Sequence, residues 1–210
     1  MGLEAVAQRV GVTVPTIQLV AEFEGCLKKV GPDQYGPYPC PAKVPTIGIG
    51  TTVYNETGRK VTLSDLPITR AKAEDLLGFD LGVKYAPAVR RAVKKFQTVN
   101  QYGACVSMAY NVGTAGFSRS TLCWLINQGQ HAKATDEFLK WTRGGGRVLP
   151  GLVRRRKAER AMFLTPGPAY SAKPEAPTPT AGIPVGDAFP PPPPNPPGVL
   201  AWLSQRIFRR

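Results

Sequence analysis

Glu24 stands at the end of an apolar stretch, directly before a glycine, and is the first candidate for proton-transfer chemistry. A carboxyl group acts as a general acid only if it keeps its proton near neutral pH, so its surroundings must disfavour the carboxylate anion. The negative end of a helix dipole and an apolar neighbour such as Phe23 would both do so. The alternative is a solvated helix-end carboxylate with no chemical role.

The partner of Glu24 in such chemistry could be any of three residues that follow it in the sequence: Asp33, Cys40 or Thr46. Asp33 offers a carboxylate, which at neutral pH is an acceptor of fixed charge. Cys40 offers a thiol, which is mostly protonated unless neighbouring lysines favour its anion. Thr46 offers a hydroxyl that could hold a water molecule, although a Thr in a β-prone segment can equally be an ordinary strand residue.

A helix must end at Glu24, and a turn-rich segment must follow it. Residues 15–24 predict this helix, because Pro15 suits a first turn and Gly25 suits the position just past a helix end. Residues 30–64 are rich in Gly, Pro and Thr around short β-prone pieces. This pattern predicts a small twisted hairpin or a three-stranded sheet.

Helices are predicted for most of the remaining folded part. A helical region begins at Ser64 or Asp65 and continues to Leu81, with Thr69 as the N-cap of its main helix. Residues 83–164 are nearly all helical in pattern, with breaks at glycines and at Pro150–Gly151. The runs between breaks are about 10–15 residues long, which is ordinary for a compact helical lobe.

The folded part carries a large positive charge. The chain has 27 Lys and Arg against 14 Asp and Glu, a formal net charge of +13, and only four of the basic and two of the acidic residues lie after residue 164. Residues 1–164 therefore carry a net charge of +11. Such a charge predicts attraction to a polyanion, which could be nucleic acid, an anionic membrane or an anionic cell-wall polymer.

Nucleic acid is the least favoured of these partners. The sequence AVAQRVGVTVPTIQLV resembles a helix-turn-helix, but its second helix, TVPTIQLVAEFEG, has no Lys or Arg and contains two Glu. A recognition helix needs basic or amide side chains to meet phosphates and base edges, and this one would be repelled from a major groove. We therefore expect no nucleic-acid partner.

Signals for a metal site, a membrane span or secretion are missing from the sequence. The four cysteines have neither a CxxC pair nor metal-ligand spacing, and there is one histidine, so we expect no metal site. No window approaches the roughly 18 apolar residues of a transmembrane helix. The N-terminus has no basic stretch followed by an apolar one, so no secretory signal peptide is predicted.

The composition changes at Thr165. Residues 165–198 are Pro-rich and of low complexity, which predicts a disordered linker after a folded domain of residues 1–164. Residues 199–210 are a short basic amphipathic segment with three arginines near its end. We expect this segment either to bind an anionic membrane surface or a partner, or to fold back on the core or stay disordered.

Three ordered blocks of the sequence resemble phage-type lysozymes, the endolysins of glycoside hydrolase family 24. The first block is Glu24-Gly25 followed by TIGIG at residues 46–50. The second is NQYGACVSMAYNVGTAGFSRSTL at residues 100–122, and the third is EFLKWTRGGGRVLPGLVRRRKAERAMF at residues 137–163. Glu-Gly or TIGIG alone would be weak, but three blocks in order with workable spacing are specific.

The resemblance implies an α+β, lysozyme-like fold, with a small Gly-rich β-sheet lobe, a larger helical lobe and an active-site cleft between them. It also implies a muramidase, a glycoside hydrolase that cleaves the β-1,4 bond between N-acetylmuramic acid and N-acetylglucosamine in peptidoglycan and needs no cofactor. Such hydrolysis requires one group that protonates the leaving oxygen and a second that activates water. Glu24 would be the general acid, and Thr46 would hold the water.

The identity of the partner depends on where this sequence carries an insertion. In the family pattern an Asp follows the Glu by nine positions and a Thr follows that Asp by six, whereas Glu24 and Thr46 are 22 positions apart. Asp33 keeps the first spacing and Cys40 keeps the second. Tyr38 stands two residues before Cys40, as a Tyr commonly does in the family, and CPAKVPTIGIG resembles a Cys-Pro-Ala variant of these endolysins. We favour Cys40, which either assists the water or packs the hairpin, and keep Asp33 as the alternative.

Further positions are candidates for substrate binding, and the three of them in the second block resemble substrate-cleft residues of the family. They are Gly48, Gln101, Asn111, Phe117 and one arginine of the RRR run, for which we take Arg155. Gly48 would let the backbone approach the sugar, or would serve hairpin geometry alone. The three residues of the second block could equally be helix-cap or core residues. The arginine would return to the cleft near Glu24.

Two other function classes fit the same residues. A lytic transglycosylase also uses one Glu acid but lets the sugar's own hydroxyl replace water, and a non-catalytic cell-wall or virion structural protein could keep the fold. The resemblance favours a phage endolysin for host lysis, made in the host cytoplasm and released to the periplasm and cell wall. We expect a monomer whose partners are peptidoglycan and, through its C-terminal segment, an anionic membrane surface.

Overall fold

The chain forms a helical lobe and a smaller lobe of short strands and turns. A computed structural model describes residues 3–24, 28–40, 43–55 and 57–171 of the 210 residues. Gly25 and the predicted segment 199–210 lie outside the described residues. The expected α+β composition is confirmed.

The helical lobe contains α-helices of very different lengths, together with a π-helical turn and a 3₁₀ turn. In chain order, the helices and turns are α1 (Leu3–Val10), α2 (Val14–Glu24), α3 (Arg70–Asp80), the π turn (Leu81–Tyr85), α4 (Ala86–Ala92), α5 (Val99–Val112), α6 (Thr114–Ser118), α7 (Thr121–Asn127), α8 (His131–Glu137), the 3₁₀ turn (Phe138–Lys140) and α9 (Pro150–Leu164). The predicted helix at 15–24 is α2, which ends at Glu24. The predicted N-cap is also confirmed, because the Thr69 side chain accepts a hydrogen bond from the backbone N–H of Lys72.

Within the described ranges, the strands form four antiparallel pairs rather than one sheet. The pairs are β1 (Lys28–Gly31) with β2 (Gln34–Gly36), β3 (Tyr38–Pro39) with β4 (Pro45–Thr46), β5 (Val53–Tyr54) with β6 (Arg59–Lys60), and β7 (Arg143–Gly144) with β8 (Arg147–Val148). The prediction of a three-stranded sheet is therefore wrong, and that of a small hairpin is closer. Proline lacks a backbone N–H, so Pro39 and Pro45, which face each other in the β3–β4 pair, limit further ladder formation.

Helix α5 lies at the centre of the helical lobe. Its residues from Gln101 to Ala109 are all buried, and it packs against α2, α4 and α9. A Cβ atom on Gly103 would lie 2.2 Å from Thr16 Oγ1, so the glycine is what allows α2 to approach α5 this closely. This close contact fixes the position of the helix that carries Glu24.

The packed structure continues past residue 164. After α9, the backbone N–H of Val99 donates to the Pro168 carbonyl (3.0 Å), and that of Tyr170 donates to the Gln97 carbonyl (3.0 Å). The Tyr170 ring lies 5.2 Å from Phe96 and 5.0 Å from Tyr102, measured between centroids. Residues 165–171 therefore pack on the start of α5, whereas residues 172–210, which include most of the predicted linker, lie outside the described residues.

Among the described helices, none combines the length and hydrophobicity that would be needed to cross a bilayer.

Candidate active site

Glu24 meets a buried arginine from the other end of the chain. It is the last residue of α2, and its side chain is only 18% exposed. Its Oε1 lies 2.5 Å from Nη1 of Arg155, which projects from α9 and is 2% exposed. The two residues are 131 positions apart, so the pair joins α2 to α9 at the helix end where a proton-transfer residue was expected.

The Arg155 guanidinium is held on three sides. Nη1 donates to Glu24, Nε donates to Glu159 Oε1 (3.1 Å), and Nη2 donates to the Ser107 carbonyl (3.3 Å). The Ser107 hydroxyl also donates to Glu159 Oε1 (2.7 Å). Burial opposes the charge of Arg155, but the carboxylates of Glu24 and Glu159 raise its pKa above the ordinary value.

The adjacent arginine faces a different set of partners. Arg156 is fully buried, and its Nε forms an ion pair with Glu159 Oε2 at 3.1 Å. Its Nη2 donates to Asn111 Oδ1 (2.7 Å), and its Nη1 contacts the Met108 sulfur. Burial, together with the charge of Arg155, lowers the pKa of Arg156 to about 10, so it stays protonated at neutral pH.

Two tyrosine rings lie against the Glu24–Arg155 pair. Tyr85, from the π turn, and Tyr110, from α5, have centroids 4.9 Å apart, and the Arg155 guanidinium lies 5.9 Å from the Tyr110 ring. Burial raises the pKa of Tyr85 to about 12 with further contributions from Asp80 and Glu24, and burial also raises the pKa of Tyr110. Both phenols therefore keep their protons at neutral pH.

The Gly-rich turn of the strand lobe approaches the same tyrosine. Gly48 and Gly50 have φ angles of +56° and +82°, which glycine adopts at little cost. A Cβ on Gly50 would lie 3.2 Å from the Tyr110 hydroxyl oxygen. A Cβ on Gly48 would lie 2.9 Å from Ala73 Cβ, so Gly48 packs on α3. Tyr110 thus lies between this turn and Arg155.

Thr46 and Cys40 belong to one hairpin. Thr46 is 2% exposed, pairs with Tyr38, and donates from its hydroxyl to the Val44 carbonyl (3.0 Å). Cys40, which is half-buried, follows β3, and its N–H donates to the same Val44 carbonyl (2.9 Å). The structure therefore brings these two predicted site residues to neighbouring positions around Val44.

Asp33 is engaged elsewhere. It lies exposed in the turn between β1 and β2, with a φ of 47°. Its Oδ1 accepts a hydrogen bond from the backbone N–H of Arg70 (3.1 Å), the first residue of α3. A carboxylate at this position stabilises a helix N-terminus, so the contact explains Asp33 without a catalytic role.

The predicted substrate residues separate into two groups. Asn111 and Arg155 belong to the cluster around Glu24. Gln101 lies near the start of α5, where its Oε1 accepts from the Gln97 N–H (2.9 Å), and at 1.5 Å per residue it is about 15 Å along the helix from Asn111. Phe117 is 1% exposed and belongs to the core. The structure does not bring Gln101 or Phe117 to Glu24.

Asp80 links the two lobes and was not singled out from the sequence. It is the last residue of α3, and its carboxylate accepts hydrogen bonds from the Thr51 hydroxyl (3.4 Å) and the Asn55 amide, both in the strand lobe. Burial raises its pKa to about 6, although these two donors and the nearby Lys84 oppose the shift.

Ser107, Tyr110 and Glu159 were also missed in the sequence. Two of them share helix faces with residues that were predicted: Ser107 is four positions before Asn111, and Glu159 is four positions after Arg155. Residues four apart on a helix are neighbours, so this spacing was the available signal.

Comparisons with known proteins agree with this architecture. The phage lysozyme family model matches residues 21–159. The endolysin of Bacillus phage B103 is 38% identical over 149 residues, covering 71% of this chain and 52% of the relative. The endolysin of Acyrthosiphon pisum secondary endosymbiont phage 1 is 33% identical over 149 residues, covering 69% of this chain and 92% of the relative. The chain spans about half the length of the first curated relatives that it matches.

Solved structures show the same fold. A P22 lysozyme mutant superposes with a TM-score of 0.62 at 30% identity, covering 73% of this chain and 98% of that one. The muramidase domain of SpmX from Asticaccaulis excentricus superposes with a TM-score of 0.57 at 31% identity, covering 74% and 98% of the two chains. The expected lysozyme-like fold is confirmed.

Proposed function

The chain belongs to the phage lysozyme family, and from this premise we propose that it is a muramidase that hydrolyses the β-1,4 bond between N-acetylmuramic acid and N-acetylglucosamine in peptidoglycan. The observation that carries the proposal is the largely buried Glu24 carboxyl, which contacts Arg155. The Tyr110 ring lies between Arg155 and the Gly-rich turn. Relatives named endolysins support a role in phage-mediated lysis of the host cell wall.

Glu24 acts as the general acid in this proposal. Arg155 engages its Oε1, and among the described residues Oε2 accepts no hydrogen bond. We assign the transferable proton to Oε2, which gives it to the glycosidic oxygen as the bond to the anomeric carbon breaks. The developing charge on the sugar is oxocarbenium-like, and a water molecule attacks it from the opposite face with inversion of configuration. The attacking water loses a proton to solvent, and Glu24 Oε2 regains one from solvent, so the enzyme returns to its starting state.

The hairpin residues prepare the water. The Thr46 hydroxyl donates to the Val44 carbonyl, so in this proposal its oxygen acts as the acceptor for an O–H of the water. Cys40, anchored to the same carbonyl through its N–H, supplies the second contact to the water. We also assign Asn111 and Arg155 to the part of the cleft that binds the substrate. The proposed reaction needs no cofactor.

The test compares two glutamates of the same helix. Glu24→Gln removes the proton donor and should lower the release of reducing ends from purified peptidoglycan by about 10²- to 10⁴-fold, the contribution typical of a general acid. Glu22→Gln is the matched control, because Glu22 lies on the exposed face of α2 two residues away. Its activity should equal that of the wild type. Retained activity in Glu24→Gln would end the assignment of the acid.

A further inference from the structure

Glu159 is a completely buried carboxylate that the proposed reaction does not use. It lies on α9 with no solvent exposure, four residues after Arg155. Removing a carboxylate from water costs several kcal/mol unless charges and hydrogen bonds compensate for it. Such a residue needs a compensating set of partners, and the structure shows which ones it has.

The two carboxylate oxygens of Glu159 contact different arginines. Oε1 accepts from Arg155 Nε (3.1 Å) and from the Ser107 hydroxyl (2.7 Å). Oε2 lies 3.1 Å from Arg156 Nε as an ion pair. With the carboxyl group of Glu24, two guanidinium groups and two carboxyl groups are enclosed between α2, α5 and α9.

The arrangement around Arg155 is directional as well as electrostatic. A guanidinium is planar, so acceptors placed on its Nε and Nη2 edges determine where its Nη1 edge points. Glu159 and the Ser107 carbonyl occupy those two edges, and Nη1 is thereby aimed at Glu24 Oε1. Arg156 has its own acceptor in Asn111, so it does not replace Arg155 in this contact.

We propose that Glu159 is a positioning residue, which orients Arg155, and through it the Glu24 carboxyl, while Ser107 orients Glu159. The inference rests on the proposed function, because it assigns a role relative to the proposed acid. Without the Glu159 acceptor the Arg155 plane rotates, and the Glu24 oxygen that should face the glycosidic bond loses its fixed direction. Displacing a reacting group by about 1 Å costs on the order of a hundredfold in rate.

A purely structural role would behave differently. If Glu159 only neutralised buried arginines, its loss would lower the fraction of folded protein, and the remaining folded molecules would turn over normally. A positioning role lowers kcat in folded protein while the binding of glycan, measured as KM, is kept. The two roles are therefore separated by steady-state kinetics on soluble, uncross-linked peptidoglycan strands, with the folded fraction measured under the same conditions.

The main variant is Glu159→Gln, with Glu137→Gln as its control. Gln has nearly the same volume but one acceptor oxygen, so it cannot satisfy Arg155 and Arg156 together. We expect kcat to fall about tenfold or more, with KM within about twofold of the wild type. Glu137 pairs with the exposed Lys140 outside this cluster (2.6 Å), and its replacement should change neither parameter.

A second variant keeps the test valid if Glu159→Gln does not fold. Ser107→Ala removes only the hydroxyl that donates to Glu159 Oε1, and should lower kcat in the same direction by a smaller factor. Ser118→Ala is the control, because that hydroxyl bonds to the Thr114 carbonyl on the exposed side of α6. Unchanged kcat in folded Ser107→Ala and Glu159→Gln, or in the only one of them that folds, would overturn the proposal.

The route through Arg155 is tested by combining substitutions. Arg155→Lys keeps the charge but loses the planar fork, so it should itself lower kcat. If Glu159 acts through Arg155, adding Glu159→Gln (Ser107→Ala if that variant does not fold) to Arg155→Lys should lower kcat no further, a non-additive result. Independent, multiplying losses would overturn the proposal. Failure of the proposed function is distinguishable, because then the wild type would release no reducing ends or Glu24→Gln would keep activity.

Discussion

At the residue scale, Cys40 and Asp33 are the competing partners of the proposed acid, and they differ in what they already contact. Asp33 caps α3 through Arg70, whereas Cys40 shares the Val44 carbonyl with Thr46. The family spacing left both open, because an insertion could lie on either side of the partner. Because Asp33 already has a structural partner and Cys40 shares its partner with Thr46, we keep Cys40 as the predicted water-side residue.

Substituting each candidate separates the two roles. Cys40→Ala should lower the rate on purified peptidoglycan by about tenfold or more, because the attacking water loses one of its two contacts. Asp33→Ala should keep the rate and instead lower the free energy of unfolding by about 0.5–1 kcal/mol through the lost helix-end contact. Rates from reducing-end release and stabilities from urea unfolding give both values. The reverse pattern would make Asp33 the partner.

We expect Asp80 to make the stability of the protein depend on pH. Its pKa rises from an ordinary value of 3.8 to about 6, because the folded protein buries it. The folded state therefore binds a proton more tightly than the unfolded state between these values, so the Asp80 contribution to stability falls as pH rises from about 4 through about 6, and then levels off. At about 1.4 kcal/mol per pKa unit, the change is on the order of 2–3 kcal/mol.

Asp80→Asn is the comparison that isolates this effect. Asn keeps an oxygen acceptor and does not titrate, so other titrating groups cancel when the two proteins are compared at each pH. Urea unfolding between pH 4 and pH 7 should show the wild type losing stability relative to the variant as pH rises. Parallel curves for the two proteins would contradict the prediction, because they would show that folding does not change the pKa of Asp80.

At the element scale, the α2–α5 crossing depends on a missing side chain. Ala is favoured over Gly within a helix by about 1 kcal/mol, so propensity alone predicts that Gly103→Ala stabilises α5. The added Cβ would lie 2.2 Å from Thr16 Oγ1, however, and overpacking of this kind costs about 1–3 kcal/mol. We therefore predict a net loss of stability on urea unfolding.

Gly116→Ala is the matched control for that substitution. Gly116 lies in α6, where an added Cβ would find its nearest neighbour at an ordinary 3.7 Å. This variant should be neutral or slightly more stable, because Ala restricts the unfolded chain. If Gly103→Ala were as stable as Gly116→Ala, the close crossing would not be what places α2 and Glu24.

The sequence allowed the local features around the site to be predicted better than the tertiary ones. The end of α2 at Glu24 and the Thr69 cap follow from local residue chemistry, and both agree with the structure. Ser107 and Glu159 could not be paired in advance, because they lie 52 positions apart on helices whose packing angle no local pattern encodes. The size of the sheet was overestimated, because Pro39 and Pro45 lack the backbone N–H groups that a third strand would need.

At the scale of the whole molecule, we propose that the positive charge and residues 199–210 affect access to the wall rather than bond cleavage. A net charge of +13 favours association with anionic peptidoglycan and membrane surfaces. Residues 165–171 pack on α5, so they belong with the folded part when a truncation is designed. The proposed membrane-binding segment, 199–210, lies beyond them.

Deleting residues 172–210 tests that segment. The truncated protein should hydrolyse purified peptidoglycan at the wild-type rate, because every residue placed in the site is retained. Clearing of intact cells should fall, because the three terminal arginines no longer attract the protein to the anionic surface. Equal clearing by the truncated and full-length proteins would remove the membrane role from the account.

The chemical identity of the newly formed glycan ends is the most direct measure of the central claim. Purified peptidoglycan digested by the wild type should yield N-acetylmuramic acid with a free reducing end, as water attack requires, and Glu24→Gln should yield almost none. Mass spectrometry of the fragments distinguishes this product from the anhydro form, which is one water lighter. Anhydro ends from the wild type, or reducing ends from Glu24→Gln at the wild-type rate, would contradict the account.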